Sequence, residues 1–229
     1  MEVKEVEIAD KIISHLIERY QPDAIITYGS FADGSANENS DFDALVIANH
    51  DKMHDSSFID DTLLDVFIYP TDTFNSEYDP KEFVQVWDGK IVLDKSGIAE
   101  RLQKRVCSYI ESVPQKSIDE IQQEIRWCEK MVLRTLRDDT EGYYRWHWLL
   151  FDSLEIYCDV KRVHYYGPKK ALRLMKQTDE EAFQIYSRAL KEFEREYLSE
   201  WISYLKHISP ASCIPICRDD HMQYQKISF

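Results

Sequence analysis

Three aspartates and a Gly-Ser pair stand out because their types and spacing suit metal and phosphate chemistry. Gly29-Ser30 ends the short apolar run of residues 24–28, and Asp41-Phe42-Asp43 opens the next apolar run after a ten-residue connection. If that second run is a strand, Asp41 and Asp43 point to the same face, with their carboxylates a few ångströms apart. Two like charges so close together are unfavourable unless a cation lies between them.

A third aspartate, Asp65, lies inside the apolar run of residues 63–68. A carboxylate among such residues is costly to bury without a partner, and Mg²⁺ supplies one. Each feature alone is better explained by a turn or by solvated strand residues. Together, in this order and at strand ends or within strands, they predict a metal site with Asp41, Asp43 and Asp65 as ligands and catalytic residues.

Gly29 and Ser30 are the candidate phosphate-binding residues. Glycine lets the backbone approach a phosphate closely, and the serine hydroxyl and neighbouring N–H groups can donate to phosphate oxygens. A metal that bridges triphosphate oxygens offsets developing charge, and a second metal can lower the pKa of an attacking hydroxyl. We therefore expect Mg²⁺ as cofactor and ATP, or another nucleoside triphosphate, as donor.

Hydrophobic periodicity predicts the elements that position these residues. Ser117 and Glu120 match a capping box at the start of one helix. The predicted strands are 24–28, 42–48, 62–69 and 90–93, and the predicted helices are 3–20, 98–113, 117–138, 141–163, 169–176 and one long helix from 178 to before Pro210. This is an α+β fold: a small mixed β-sheet domain with flanking helices, residues 1–96, followed by an α-helical bundle, residues 97–229.

Composition limits the class of protein. The 229 residues are 44% hydrophobic, which suits a folded core, and contain no apolar run of eighteen residues or more. The first residues lack the features of a signal peptide, so we expect a cytoplasmic location and no membrane partner. Cys213 and Cys217 are the one cysteine pair with metal-like spacing, and without a second ligand pair we expect no zinc site there.

Charge is divided unevenly along the chain. Residues 1–100 hold 22 of the 42 acidic residues but 7 of the 28 basic ones, which gives this part a formal charge of −15 and the remainder +1. A field of this sign repels a phosphate backbone. The distribution argues against a long nucleic acid as partner and favours a cationic or neutral small acceptor.

The motif resembles that of the nucleotidyltransferase superfamily related to DNA polymerase beta. Gly-Ser, a spacer of this length, Asp-x-Asp and a later Asp on a neighbouring strand match at Gly29, Ser30, Asp41, Asp43 and Asp65, and the resemblance covers residues 20–95. A catalytic domain followed by helices looks most like the two-domain antibiotic nucleotidyltransferases. That resemblance implies transfer of AMP, or another NMP, to a hydroxyl of an aminoglycoside- or lincosamide-like molecule, and a homodimer.

Several residues outside the motif are further candidates. Lys169 and Lys170 open a helix after Gly167-Pro168 and could bind the triphosphate, although a solvated turn with two surface lysines is the simpler explanation. Asp152 and Glu155 lie on an acidic stripe of the helix 141–163; the stripe would bind a cationic acceptor or supply a base if it faced the catalytic domain, and is a plain charged surface if it faces water. Glu77 is a rival base on the segment after the third strand.

Two alternative functions stay open at this stage. The same superfamily contains antitoxin-like enzymes that adenylylate a partner protein, and a non-catalytic nucleotide-binding regulatory module could keep the fold without turnover. The three aspartates argue against the second alternative, because a binding module does not need so much like charge in one place.

Overall fold

The structure is a computed structural model that describes residues 3–137 and 139–210, and the side chains from residue 5 onward within those ranges. It forms two compact units, of which unit 1 ends at Val113 and unit 2 begins at Pro114. Cys213 and Cys217 lie outside the described residues, so the expectation about zinc remains a prediction. The assignment of residues 1–96 and 97–229 to two domains also remains a prediction.

Unit 1 is built on a mixed β-sheet with helices on its faces. In chain order its elements are α1 (Val3–Tyr20), β1 (Ala24–Thr27), α2 (Gly29–Asp33), β2 (Phe42–Ala48), β3 (Met53–Asp55), β4 (Phe58–Ile59), β5 (Thr62–Pro70), α3 (Thr71–Asn75), a 3₁₀ helix (Pro80–Val86), β6 (Lys90–Asp94) and α4 (Ile98–Ser112). The strand order in the sheet is β3-β5-β2-β1-β6, and β4 pairs with β5. Strands β2 and β5 are parallel, and the other pairs are antiparallel.

Apolar side chains cover both faces of this sheet. On one face, α1 packs Ile12, Leu16 and Tyr20 against the strands, and on the other the 3₁₀ helix and α4 contribute Phe83 and Leu102. The two clusters are separate because successive strand residues point to opposite faces. Asp94, at the end of β6, fixes the start of α4 by accepting hydrogen bonds from the backbone N–H groups of Ile98 (2.9 Å) and Glu100 (3.1 Å).

Unit 2 is helical in the part that the structure describes. Its helices are α5 (Ile118–Arg134), α6 (Thr140–Val160), α7 (Pro168–Thr178), α8 (Glu180–Lys191) and α9 (Arg195–Ile208). The predicted capping box is confirmed: the Ser117 side chain accepts from the Glu120 backbone N–H, and the Glu120 side chain accepts from the Ser117 backbone N–H. Trp201 is fully buried at the centre and donates to the Ser153 hydroxyl at 2.8 Å. The core face of α6 consists of five buried residues: Trp146, Leu149, Ser153, Leu154 and Tyr157.

The predicted fold class is confirmed, and the differences are local. The single long helix predicted from residue 178 is wrong: the chain is extended at Glu192 and forms α8 and α9 instead. The break lets α9 pack back on α8, so that the apolar faces of both helices are buried. The Gly29-Ser30 pair begins a helical turn, α2, in place of a simple turn. Among the described residues, every helix is too short or too polar to cross a membrane.

Candidate active site

The three predicted aspartates converge at one place in unit 1. One carboxylate oxygen of each of Asp41, Asp43 and Asp65 lies within 4.8 Å of the others, and all three side chains are half-buried. Asp43 and Asp65 are direct register partners in the parallel pair β2/β5, and Asp41 lies just before β2. Parallel pairing thus places carboxylates 22 residues apart in the sequence side by side.

Alternation along β5 explains how an aspartate occupies an otherwise apolar strand. Leu64, Val66 and Ile68 are buried on the side covered by α1, and Asp65 and Phe67 point to the opposite face. The apolar residues secure the strand in the sheet. Asp65 therefore carries a charge without entering the α1-side core.

Both the backbone conformation and the surroundings of position 29 require glycine there. Its φ is +65°, a value that L side chains rarely adopt, and a Cβ placed on it would lie 2.9 Å from Asp43 Cγ and closer still to Asp43 Oδ2. The Tyr28 backbone N–H donates to the Asp43 carbonyl at 3.1 Å. The Gly-Ser segment therefore lies directly against the aspartate cluster.

The connection between α2 and β2 is ordered by its own polar groups. The Ser30 carbonyl accepts from the backbone N–H groups of Gly34 (3.0 Å), Ser35 (3.0 Å) and Ala36 (3.1 Å). Further along, Asn37 N–H donates to Ser40 Oγ at 3.0 Å and the Ser40 backbone N–H to the Asn37 carbonyl at 2.9 Å. These hydrogen bonds fix Ser40, and they therefore also help to position Asp41, the next residue, in the cluster.

Tyr28 borders the cluster from the end of β1. Its side chain is buried. Burial raises the pKa of the Tyr28 hydroxyl, and the charges of Asp43 and Asp65 raise it further. The hydrogen bond with Gln85 lowers this pKa, but its effect is smaller. The phenol therefore stays protonated at neutral pH and remains a hydrogen-bond donor.

Sequence reasoning missed His54, which the structure brings to Asp65. The His54 Nε2 lies 2.6 Å from Asp65 Oδ1, and the imidazole stacks on the Phe67 ring at a centroid distance of 4.5 Å. The strand that carries it, β3, has three residues. The alternation of so short a strand gives almost no signal, and a histidine between Met53 and Asp55 has no motif around it.

The donor set of the cluster fits a divalent cation. Mg²⁺ is held through carboxylate oxygens, and three such groups within 4.8 Å offer ligands of the required type and charge. Because Gly29 has no side chain, its backbone can lie close to the Asp43 carboxylate. Asp41, Asp43 and Asp65 would hold the cation.

Glu77, predicted as a rival base, lies elsewhere in unit 1. Its carboxylate accepts from Arg105 Nη2 at 2.8 Å and is almost fully exposed. Arg105 also lies over the Tyr78 ring, 4.3 Å from its centroid. The structure therefore pairs Glu77 with a cation on α4, and its role as a base remains a prediction.

The remaining predicted residues belong to unit 2. Lys169 is exposed in the first turn of α7, and Lys170 is half-buried with its ammonium 5.8 Å from the Tyr166 ring centroid. On α6, Glu155 is exposed and Asp152 half-buried, and burial raises the pKa of Asp152. Their roles in binding nucleotide or acceptor remain predictions.

The sequence matches a model of the nucleotidyltransferase domain family over residues 9–128, more than half of the chain. The chain belongs to the nucleotidyltransferase domain family. The matched range contains Gly29, Ser30 and all three aspartates. Membership in this family makes the protein an enzyme of nucleotidyl transfer, which uses a nucleoside triphosphate and typically a divalent metal.

Comparison with solved structures and curated proteins adds little to this assignment. The nucleotidyltransferase is similar to a crystal structure of a nucleotidyltransferase-like protein from Exiguobacterium sibiricum, with 13% sequence identity and a TM-score of 0.34; the match covers 90% of this chain and 74% of that one. A likeness at this level says nothing about the acceptor. The comparison with curated proteins finds no match.

Proposed function

We propose that this nucleotidyltransferase transfers an NMP, AMP foremost, from a metal-bound nucleoside triphosphate to a hydroxyl of a small molecule and releases pyrophosphate. The convergence of Asp41, Asp43 and Asp65 within 4.8 Å carries the proposal. Three carboxylates in one place repel one another in the absence of a cation and together bind Mg²⁺. The bound metal would offset the negative charge of the triphosphate and of the transition state.

The transfer forms one bond and breaks one bond. The acceptor hydroxyl oxygen bonds to the α-phosphorus, the bond from that phosphorus to the bridging oxygen of the pyrophosphate breaks, and the hydroxyl proton goes to a base. Gly29 and Ser30 are proposed to hold the phosphates through backbone N–H groups and the serine hydroxyl. Lys169 and Lys170 are proposed as further triphosphate ligands, which their position at the start of α7 supports.

Charge supports a small acceptor with amine groups. Residues 1–100 hold 22 acidic and 7 basic residues, a surplus that attracts cations and repels nucleic acid. Aminoglycoside- and lincosamide-like molecules combine amines with reactive hydroxyls and are the proposed acceptor class. Asp152, Glu155 and Glu77 are the proposed carboxylates for binding such an amine or for accepting the hydroxyl proton.

A labelled-transfer experiment tests the proposal and its alternatives. The protein is incubated with Mg²⁺ and each α-labelled nucleoside triphosphate, alone, with a panel of aminoglycosides and lincosamides, and with cell extract. Label on a small molecule, with pyrophosphate release that requires that molecule, supports the proposal. Label on a protein band supports the antitoxin-like alternative, and nucleotide binding without transfer in any mixture supports the regulatory module.

A further inference from the structure

The edge strand β3 brings a fourth polar side chain to the aspartate cluster. His54 is the register partner of Phe67 in the antiparallel pair β3/β5, and Asp65 lies two residues before Phe67 on the same face of β5. Diagonal neighbours of this kind are within reach of long or aromatic side chains. The His54 Nε2 accordingly lies 2.6 Å from Asp65 Oδ1.

Two contacts fix the His54 ring. The imidazole and the Phe67 ring stack with an interplanar angle of 14° and a centroid distance of 4.5 Å. An ionised carboxylate is an acceptor only, so the contact with Asp65 requires that Nε2 carries a proton and donates. The stack sets the plane of the imidazole, and the hydrogen bond sets which nitrogen faces the carboxylate.

We infer that His54 is a positioning residue of the transfer reaction: it holds one oxygen of Asp65 and thereby orients this carboxylate in the cluster. The inference rests on the proposed function, because it takes Asp65 as a metal ligand. Donors that hold a ligating carboxylate orient it, and their loss typically weakens metal binding about 10- to 100-fold. Asp65 is 36% exposed, so without His54 its side chain would have room to rotate.

Mn²⁺ binding tests the inference without turnover. Mn²⁺ is titrated into the protein in the presence of a non-hydrolysable ATP analogue, and free Mn²⁺ is followed by its electron paramagnetic resonance signal. We expect His54→Ala to weaken binding about tenfold. His54→Gln, whose amide can donate to Asp65, should restore most of the affinity.

His50 provides the matched control. It is an exposed histidine four residues earlier, its Nδ1 lies 3.0 Å from the Asp51 carbonyl, and its ring makes an edge contact with Tyr20. We expect His50→Ala to bind Mn²⁺ like the wild type. Phe67→Leu, which keeps an apolar side chain and removes the stack, should weaken binding in the same direction as His54→Ala but by less.

Unchanged or tighter Mn²⁺ binding in His54→Ala would overturn the inference, and so would a His54→Gln variant as weak as His54→Ala with its fold intact by circular dichroism. The outcome is separable from that of the proposed function. A wild type whose Mn²⁺ affinity falls on His54→Ala but which transfers no label would overturn the proposed function alone. A wild type that transfers label, with unchanged Mn²⁺ binding in His54→Ala, would overturn this inference alone.

Discussion

In unit 2, the Asp179 carboxylate is surrounded by donors, whereas in unit 1 the carboxylates of Asp41, Asp43 and Asp65 are gathered next to one another. Asp179 accepts from Tyr204 (2.7 Å), Tyr157 (3.1 Å) and the Lys161 ammonium (3.1 Å). Burial alone would raise its pKa, but the hydrogen bonds from Tyr204, the Ala182 backbone N–H and Lys161 lower it. The Asp179 charge is thus balanced by donors within the fold, whereas the three carboxylates of unit 1 are the proposed ligands of a cation.

Two further carboxylates of unit 2, those of Glu124 and Asp159, also lie beside a positively charged side chain. The Lys116 ammonium lies 2.5 Å from Glu124 Oε1 and 2.9 Å from Asp159 Oδ2. Burial lowers the pKa of Lys116, but the hydrogen bonds to Asp159 and Glu124 outweigh burial and raise it. The charges of these two carboxylates are therefore balanced by the Lys116 ammonium.

The largest expected effect is on transfer by Asp43→Asn. The substitution keeps the side-chain size but removes the charge of a proposed metal ligand, so several kcal/mol of transition-state stabilisation should be lost, about a thousandfold in kcat/KM. Labelled transfer measures it. Asp61→Asn is the control, because Asp61 is exposed at φ +66°, a conformation that asparagine tolerates. Full activity in Asp43→Asn would contradict the proposal that the carboxylates of unit 1, unlike Asp179 in unit 2, act in transfer.

In unit 2, Asp179→Ala should act on stability. It leaves two tyrosine hydroxyls and the Lys161 ammonium without their acceptor, and we expect the free energy of unfolding to fall by about 3 kcal/mol. Urea denaturation followed by tryptophan fluorescence reports mainly on unit 2, which holds four of the five tryptophans. A loss below about 1 kcal/mol, the size of one ordinary hydrogen bond, would contradict a structural role for this carboxylate.

Gly29→Ala and Gly34→Ala form a matched pair within unit 1. Both glycines have positive φ, +65° and +82°, so alanine should cost either site about 1–2 kcal/mol of stability. Only at Gly29 would the new Cβ meet a carboxylate, that of Asp43; at Gly34 it would meet nothing within 4 Å. We expect Gly29→Ala to lower transfer about 100-fold through displacement of Asp43, and Gly34→Ala to retain activity. Equal activities would show that the close approach has no role.

The smallest expected effect is the acid sensitivity of unit 2. The pKa of Asp179 is lowered in the folded chain from the ordinary value of 3.8, so the unfolded chain binds the proton first as the pH falls. The stability that Asp179 contributes is therefore present above pH 3.8 and is lost as the pH falls through the folded pKa. Urea midpoints measured from pH 5 down to about pH 2 should fall for the wild type and fall less for Asp179→Asn. If the urea midpoints of the wild type and Asp179→Asn fall in parallel with pH, groups other than Asp179 cause the acid sensitivity.

Strong local signals made most of the fold predictable. β2 occupies residues 42–48 as predicted, and the capping box at Ser117 marks the start of α5. The break between α8 and α9 has no proline or glycine, because residues 191–195 are Lys-Glu-Phe-Glu-Arg. That break depends on the packing of α9 against α8, which local sequence does not encode.

The candidate site was predictable in its charges but not in its neighbours. Asp-x-Asp and the lone Asp65 are visible in the sequence because they interrupt apolar runs. The contact between His54 and Asp65 depends on the register of the short strand β3 against β5, and the contact of Gly29 with Asp43 depends on the path of a helical turn. Both are consequences of tertiary structure.

The alternation of β5 also acts as a check on folding. Leu64, Val66 and Ile68 belong to the core beneath α1, and Asp65 lies between them in sequence but on the other face. A slip of one residue would exchange the two faces, removing these apolar side chains from the core beneath α1 and burying Asp65 there. A molecule in which β5 pairs in the wrong register would therefore lose both its core and its aspartate cluster. Molecules that fold stably are for this reason the ones in which Asp65 lies in the cluster.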